Sequence, residues 1–305
     1  MIVVPRIHVV LAVYNGAQFL AQQIDSILQQ TGVEVRLYCR DDGSTDQSLA
    51  ILDTFAYREP ERVMVLNPGS QLGVVGNFET LLTVAVNTAD VGYIALADQD
   101  DLWHPDKLQH SYQQLRQRER LNPHQPILVH SDLRVIDSAG QLIAPSLRRY
   151  QRIPYRQQHF AHQLFRNTVT GCTVLMNAAL VRKALPIPSA AIMHDWWLSL
   201  VASAFGQLGY IDRSLVDYRQ HGANALGAQA QSRHHRILRV LGRMVRGQPM
   251  INNQAMICRL AQQARAFLTQ FASELTVDQQ RTLARIIDLP HHPWQQLAWR
   301  VWGGR

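Results

Sequence analysis

The sequence predicts an α/β fold, a mostly parallel sheet flanked by helices, with an α-helical C-terminal extension. Three observations lead there. Apolar, β-branched runs alternate with stretches of helical period about four times between residues 6 and 120, the pattern of a sheet covered on both faces. The polar stretches "YNG", "DDGST" and "DQDD" all stand at the C-terminal ends of expected strands, where such sheets bind ligands. From about residue 226 onward the pattern is helical only. A domain over residues 1–225 and a basic amphipathic helical region over 226–305 are therefore expected.

The elements follow in order. "RIHVVLAV" is a buried strand that ends in the turn residues Asn15 and Gly16. "AQFLAQQIDSIL" sets Phe19, Leu20, Ile24, Ile27 and Leu28 at helical spacing, and Gly32 stops it. "VEVRLYCR" is a second strand before Asp41, Asp42 and Gly43. Ser44 and Gln47 read as a capping box for the next helix. "RVMVL" is a third strand, "NFETLLTVAVNTA" a helix, "VGYIALA" a fourth strand and "HPDKLQHSYQQLRQRER" a helix. Beyond residue 127 the pattern loosens. A hairpin is expected around Ser138, Ala139 and Gly140, then a strand entering a helix in "VTGCTVLMNAALV". "HDWWLSLVASAFG" reads as a helix and "GYIDRSLVDYRQHG" as a pair of strands.

Composition narrows the function. The 305 residues, 47% hydrophobic and 17% charged, suit a soluble chain with a full core. No apolar run reaches the roughly 18 residues of a membrane span. The N-terminus lacks a basic region and a cleavage site, so it reads as a strand and not as a signal peptide. Cys39, Cys172 and Cys258 are scattered, which suits the reducing cytoplasm and neither a disulfide framework nor a zinc site. The net charge of +7 is local: eleven Arg face three acids from Leu226 on, whereas the first 225 residues hold 19 basic and 20 acidic groups. A nearly neutral body argues against nucleic-acid binding. Within the tail, "QSRHHRILRVLGRMVRG" is a basic amphipathic helix, and Trp294, Trp299 and Trp302 suit an interface. Peripheral contact with the inner face of the plasma membrane is one reading. Packing of its apolar face on the N-terminal domain is the other.

Several polar groups stand out. Asp98, Asp100 and Asp101 repel one another, yet Asp98 continues an apolar strand. Asp-x-Asp there can hold a hard divalent cation, and a polar turn with a helix N-cap is the alternative. Asp41 and Asp42 suit contacts to a base or ribose, or a plain turn. Asp195 opens an aromatic helix either as a cap or as a general base made more basic by desolvation. His221 follows a strand and suits a metal, a phosphate or simple exposure. The glycine-punctuated "GVVGNFETLL" and "NTVTGC", and the histidines His8 and His130, read as structural.

Taken in order, "VVLAVYNGAQFLAQQIDSILQQ", "DDGSTD", "GNFETLL", "DQDDLWHPDKL", "HDWWLSL" and "YRQHGAN" resemble the signature series of family 2 glycosyltransferases with the GT-A nucleotide-diphospho-sugar transferase fold, from about residue 6 to 225. The "DQDD-W-PDKL" form is most similar to the rhamnosyltransferase-like branch, which acts on bacterial surface polysaccharides. The resemblance implies roles. Val13 and Tyr14 would line the nucleotide site, Asp42 would read a uracil or thymine base, and Asn77 would lie near the donor. Asp98 and Gln99 would face the nucleotide-sugar, Asp98 toward the ribose. Asp100 would bind Mg2+ or Mn2+, His221 would support the metal or the diphosphate, and Asp195 would be the catalytic base. "YRQHG" stands where processive synthases carry Gln-x-x-Arg-Trp, which implies transfer of one sugar. The implied reaction is inverting, metal-dependent transfer from a dTDP- or UDP-sugar, with dTDP-rhamnose favoured, to a glycan or lipid-linked acceptor. A non-catalytic nucleotide- or partner-binding module with the same fold is the alternative. An oxidoreductase would need Gly-x-Gly-x-x-Gly, which "YNGAQF" does not supply.

Overall fold

The parallel half of the sheet is built as the alternation demands. The computed structural model describes residues 4–67, 69–151, 159–221 and 251–291. Strands β1 (Arg6–Val13), β2 (Glu34–Asp41), β3 (Val63–Leu66) and β4 (Tyr93–Ala97) lie in the order β3-β2-β1-β4, all parallel. Helices α1 (Ala17–Leu28), α2 (Ser48–Arg58) and α3 (Gly73–Val86) make the crossovers. β1 is covered on both faces, which is why its sequence is an unbroken apolar run. Its register sets Leu11 beside Cys39 and Ala97 and Val13 beside Asp41. The chain therefore leaves β1, β2 and β4 along one edge, and Tyr14, Asp42 and Asp98 emerge together.

The other half is mixed. β8 (Val174–Asn177) runs antiparallel to β4 and to β6 (Ile127–Ile136), and β7 (Leu142–Ala144) forms the expected hairpin with β6. β9 (Gln207–Arg219) is parallel to β6. The pair of strands expected here is one strand of 13 residues, because a register shift against β6 near Asp132 absorbs the break in its pattern. β5 (Leu102–Trp103) closes the edge on β9. With two residues it has no period to read. The remaining helices are α4 (Lys107–Leu121), α5 (Leu147–Gln151), α6 (Phe160–Phe165), α7 (Ala178–Ala184), α8 (His194–Phe205), α9 (Ile251–Phe271) and α10 (Val277–Asp288).

The capping box expected at Ser44 is not used. α2 starts at Ser48, whose N–H is capped by the Asp46 carboxylate at 2.9 Å, while the Ser44 hydroxyl donates to Asp41. The box that does form, Thr276 with Gln279, opens α10.

Two apolar layers hold the sheet. One buries Val9, Leu11, Leu20, Ile24, Leu108 and Leu115 under α1 and α4. The other gathers Val10, Phe78, Leu82, Trp197 and Leu200 with Leu260, Ala264, Phe267 and Leu283 of the C-terminal helices. The Phe267 ring meets Trp197 edge-on at 5.2 Å and Phe160 at 5.4 Å. The described part of the C-terminal region thus packs its apolar face on the catalytic domain. The basic stretch over 231–247 and the three tail tryptophans lie outside the described residues. Among the described residues, no helix is long and apolar enough to cross a membrane.

Candidate functional site

The loop after β1 is pinned by Gln99. Its amide accepts the Tyr14 N–H at 2.8 Å and donates to the Tyr14 carbonyl at 2.9 Å. Gly16 is required beneath it, since a Cβ there would sit 2.4 Å from the Gln99 side chain. Gln99, expected to face the nucleotide, is spent on the backbone, and its work is to fix the loop that presents Tyr14. Tyr14 is exposed and Val13 is buried. Asn15 takes a left-handed turn with φ of 49° and accepts the Thr45 N–H, joining this loop to the one after β2.

Asp42 is buried at the end of β2 and paired with Arg40 at 2.7 Å, each side chain 4% exposed. Its Oδ1 also accepts the Leu72 N–H and its Oδ2 the Gly73 N–H, both at 2.8 Å. The carboxylate therefore anchors the start of α3, where the dipole favours an anion. Asn77, expected near the donor, is buried and grips Arg40, accepting from Nη1 at 3.1 Å and donating to the Arg40 carbonyl at 3.3 Å. Three protein donors occupy three of the roughly four acceptor positions of the Asp42 carboxylate, which leaves one on Oδ2.

Basic side chains lie beneath and beside the acidic loop. His221 Nε2 lies 2.8 Å from Asp100 Oδ2. Arg219 gives its N–H to Asp101, its Nε to the Asp100 carbonyl and its Nη2 to Gln22, and its guanidinium lies over Phe19. Lys107, from the first turn of α4, is fully buried with its ammonium 3.4 Å from the centre of the Trp103 ring. Burial, then the charges of Asp100 and Asp195, push the Asp98 carboxyl up to about 7. Asp101 is also raised well above the usual carboxylate range, by burial and by Asp98 and Asp100. Burial draws the Lys107 amine down to about 7 against the pull of Cys172 and Asp101. Asp98, Asp101 and Cys172 bring three donor atoms within 4.8 Å of one another. Asp100 and His221 offer an oxygen and a nitrogen donor that suit Mg2+ or Mn2+. Their 2.8 Å separation is close to the spacing, about 3 Å, of neighbouring ligands around an ion with bonds of roughly 2.1 Å.

Asp195 lies in the first turn of α8, not at its cap, which is Met193. Its Oδ2 accepts the Gly171 N–H at 3.0 Å and its Oδ1 the Asn167 side-chain N–H at 3.1 Å. Burial raises it to about 6, with the Trp196, Gly171 and Asn167 donors opposing. The preceding His194 is buried, stacks 3.8 Å from the Phe78 ring, and is held neutral by burial, which lowers it to about 3. The structure thus brings Asp98, Asp100, His221 and Asp195 to one region, and Tyr14, Asp42 and Asn77 to its flank. Arg40, Lys107, Asn167, Gly171 and Arg219 were not singled out from the sequence. Asn167, Gly171 and Arg219 reach partners 24 to 197 residues away, Arg40 and Lys107 sit in the interior, and the glycine-punctuated "NTVTGC" holds two of the five.

Residues 8–185 match the family model described as Glycosyl transferase family 2. Over 226 residues the chain is 28% identical to "dTDP-rhamnosyl transferase RfbG" of Shigella flexneri, covering 72% of this chain and 74% of that protein. It is 24% identical over 226 residues to "Uncharacterized glycosyltransferase alr2836" of Nostoc sp., covering 72% and 66%. Two solved structures share the fold. S. aureus TarS 1–349 in complex with UDP-GlcNAc has a TM-score of 0.55 at 12% identity, over 93% of this chain and 80% of that one. Mannosyltransferase PcManGT from Pyrobaculum calidifontis, in complex with GDP-Man and Mn2+, has a TM-score of 0.53 at 16% identity, over 99% and 85%.

Proposed function

Because the chain belongs to family 2 of the glycosyltransferases and has the GT-A fold, we propose that its site moves one sugar, with inversion, from a nucleotide-sugar to an acceptor hydroxyl. The observation that carries this reading is the convergence of Asp98, Asp100, His221 and the desolvated Asp195 at the C-terminal edge of the sheet.

The residues divide the work. Tyr14 and the free acceptor position of Asp42 receive the base, with Arg40 and Asn77 holding Asp42 in place. Asp98 faces the ribose. Asp100 and His221 would hold a divalent cation, which would supply charge neutralisation for the departing diphosphate. Asp195 takes the acceptor's proton. A carboxylate near pKa 6 is a stronger base than one in water yet stays ionised at neutral pH, and such a base contributes roughly 10²–10⁴-fold. Gly171 and Asn167 fix both of its oxygens, so its orientation is set before the acceptor arrives. One base, with no second carboxylate assigned as a nucleophile, suits a single in-line displacement.

The dTDP-rhamnosyl name of the Shigella relative supports dTDP-rhamnose as donor. The arginines from Arg233 to Arg246 and the tail tryptophans support a lipid-linked acceptor met at the cytoplasmic leaflet. The test is turnover of a panel of dTDP- and UDP-sugars with Mn2+, read as nucleoside diphosphate released. Release by the wild type, lost in Asp195→Asn while donor binding persists, is expected. Binding of donors without turnover in the presence of glycan acceptors would favour the binding-module reading.

A further inference from the structure

Beside Asp195 the fold forms a small polar pocket that the proposed reaction leaves unused. Its volume is about 20 Å³, the room of one water or one hydroxyl. β6 lines it with His130 and Asp132, β9 with Tyr210, the start of α5 with Arg148, and the loop before β8 with Thr168 and Thr170. That loop is the one that holds Asp195. Asn167 and Gly171 bond the two carboxylate oxygens, and Thr168 and Thr170, between them in the chain, line the pocket.

His130, which the sequence reads as structural, is the group here without a local task. It is 5% exposed, and its Nε2 finds no hydrogen-bond partner among the described residues. Its ring lies 5.2 Å from the Tyr210 ring. Burial lowers the imidazole to about 3, so it is neutral, with one nitrogen that donates and one that accepts. The wall around it is fixed: Asp132 accepts from the Ser146 hydroxyl and from the Leu133 and Arg148 N–H groups, which anchors the start of α5. Leaving a buried ring nitrogen unpaired is unfavourable, and a hydroxyl entering the pocket would relieve it.

We propose that this pocket is an acceptor subsite, in which His130 binds a second hydroxyl of the acceptor sugar while Asp195 takes the proton of the hydroxyl that attacks. The volume admits one hydroxyl and no sugar ring. A hydroxyl both donates and accepts, so it pairs with a neutral imidazole in either tautomer. Seating one hydroxyl orients the ring and decides which other position meets Asp195. His130 is thus a specificity-determining residue for a neutral, polyhydroxylated acceptor.

The inference rests on the reading of Asp195 as the base. Its test uses the full chain with Mn2+, the dTDP- and UDP-sugar donors, and as acceptors the p-nitrophenyl glucoside, galactoside, N-acetylglucosaminide and rhamnoside with their singly deoxygenated forms. Steady-state kinetics reports the acceptor, calorimetric titration with dTDP and UDP reports the nucleotide site, and Tm reports the fold. His130→Leu should raise the acceptor KM about tenfold, the effect of one lost hydrogen bond, with nucleotide affinity unchanged. His130→Gln, which keeps a donor and an acceptor, should recover much of the loss. One deoxy acceptor should be as poor for the wild type as its parent is for His130→Leu, and that variant should not tell the two apart. If His130→Leu does not fold, the deoxy acceptors on the wild type and His130→Gln make the same comparison. An unchanged acceptor KM in His130→Leu means that water alone fills the pocket and overturns the proposal. Equal transfer to every deoxy acceptor also overturns it, as does a wild type that turns over a donor but glycosylates none of these sugars. A wild type that binds no nucleotide and turns over no donor removes the functional reading itself.

Discussion

Replacing Asp195 by Asn should make the protein more stable and less active at once. Burial raises this carboxyl from 3.8 to about 6, so an ionised Asp195 at pH 7 opposes folding. That difference corresponds to about 3 kcal/mol of preference for the neutral form. The amide cannot accept from both Gly171 and Asn167, and losing one of these bonds costs about 1 kcal/mol. The balance is a stabilisation of about 2 kcal/mol, or roughly 3–6 °C in Tm for a chain of this size. The pH dependence follows from the sign. A native pKa above the unfolded one leaves stability intact below the unfolded value, and the loss accrues as pH rises through the native value. The wild type and Asp195→Asn should therefore melt together at pH 4 and separate between pH 4 and 7. Circular-dichroism melts at four pH values in that range test this, alongside a donor-turnover assay in which the variant falls by roughly 10²–10⁴-fold. A variant that melts at or below the wild type at pH 7, or a gap that persists at pH 4, would refute the desolvated carboxylate. Undiminished turnover would refute its role as base.

The pH profile of kcat/KM should rise through about pH 6 as Asp195 loses its proton, and a profile flat from pH 5 to 8 would contradict this. Arg40→Met strands the buried Asp42 carboxylate and should cost about 3–5 kcal/mol in urea unfolding, with nucleotide affinity lost as the start of α3 loosens. Gly171→Ala would set a Cβ 3.3 Å from His194 Nε2 and 3.5 Å from Asp195 Oδ2. It should lower kcat well before it lowers donor affinity, measured by steady-state kinetics beside binding titration.

What the sequence made legible follows from the range of the forces involved. β1, β2 and β4 and their helices announce themselves because these strands are buried on both faces and each helix on one, so local periodicity records tertiary burial. Asp98, Asp100 and Asp195 were legible because acids are conspicuous after apolar strands or before tryptophans. Lys107 was not, since a lysine in a first helical turn reads as solvated, and no pattern says that it is buried against the Trp103 ring. Arg40 hid near the end of a strand, where its partner Asn77 is reached only after α3 folds back. Asn167 and Gly171 act on an acid 28 and 24 residues away, a contact that no period encodes. Ser44 shows the converse: it satisfies the capping pattern, but the Asp41 carboxylate competes for its hydroxyl and wins.

The most direct test of the central claim is calorimetric titration of the wild type and Asp100→Ala with dTDP and UDP, each with and without Mn2+. The account predicts nucleotide binding that Mn2+ tightens in the wild type and leaves unchanged in Asp100→Ala. No nucleotide binding under any condition, or Mn2+-dependent binding that Asp100→Ala retains in full, would contradict it.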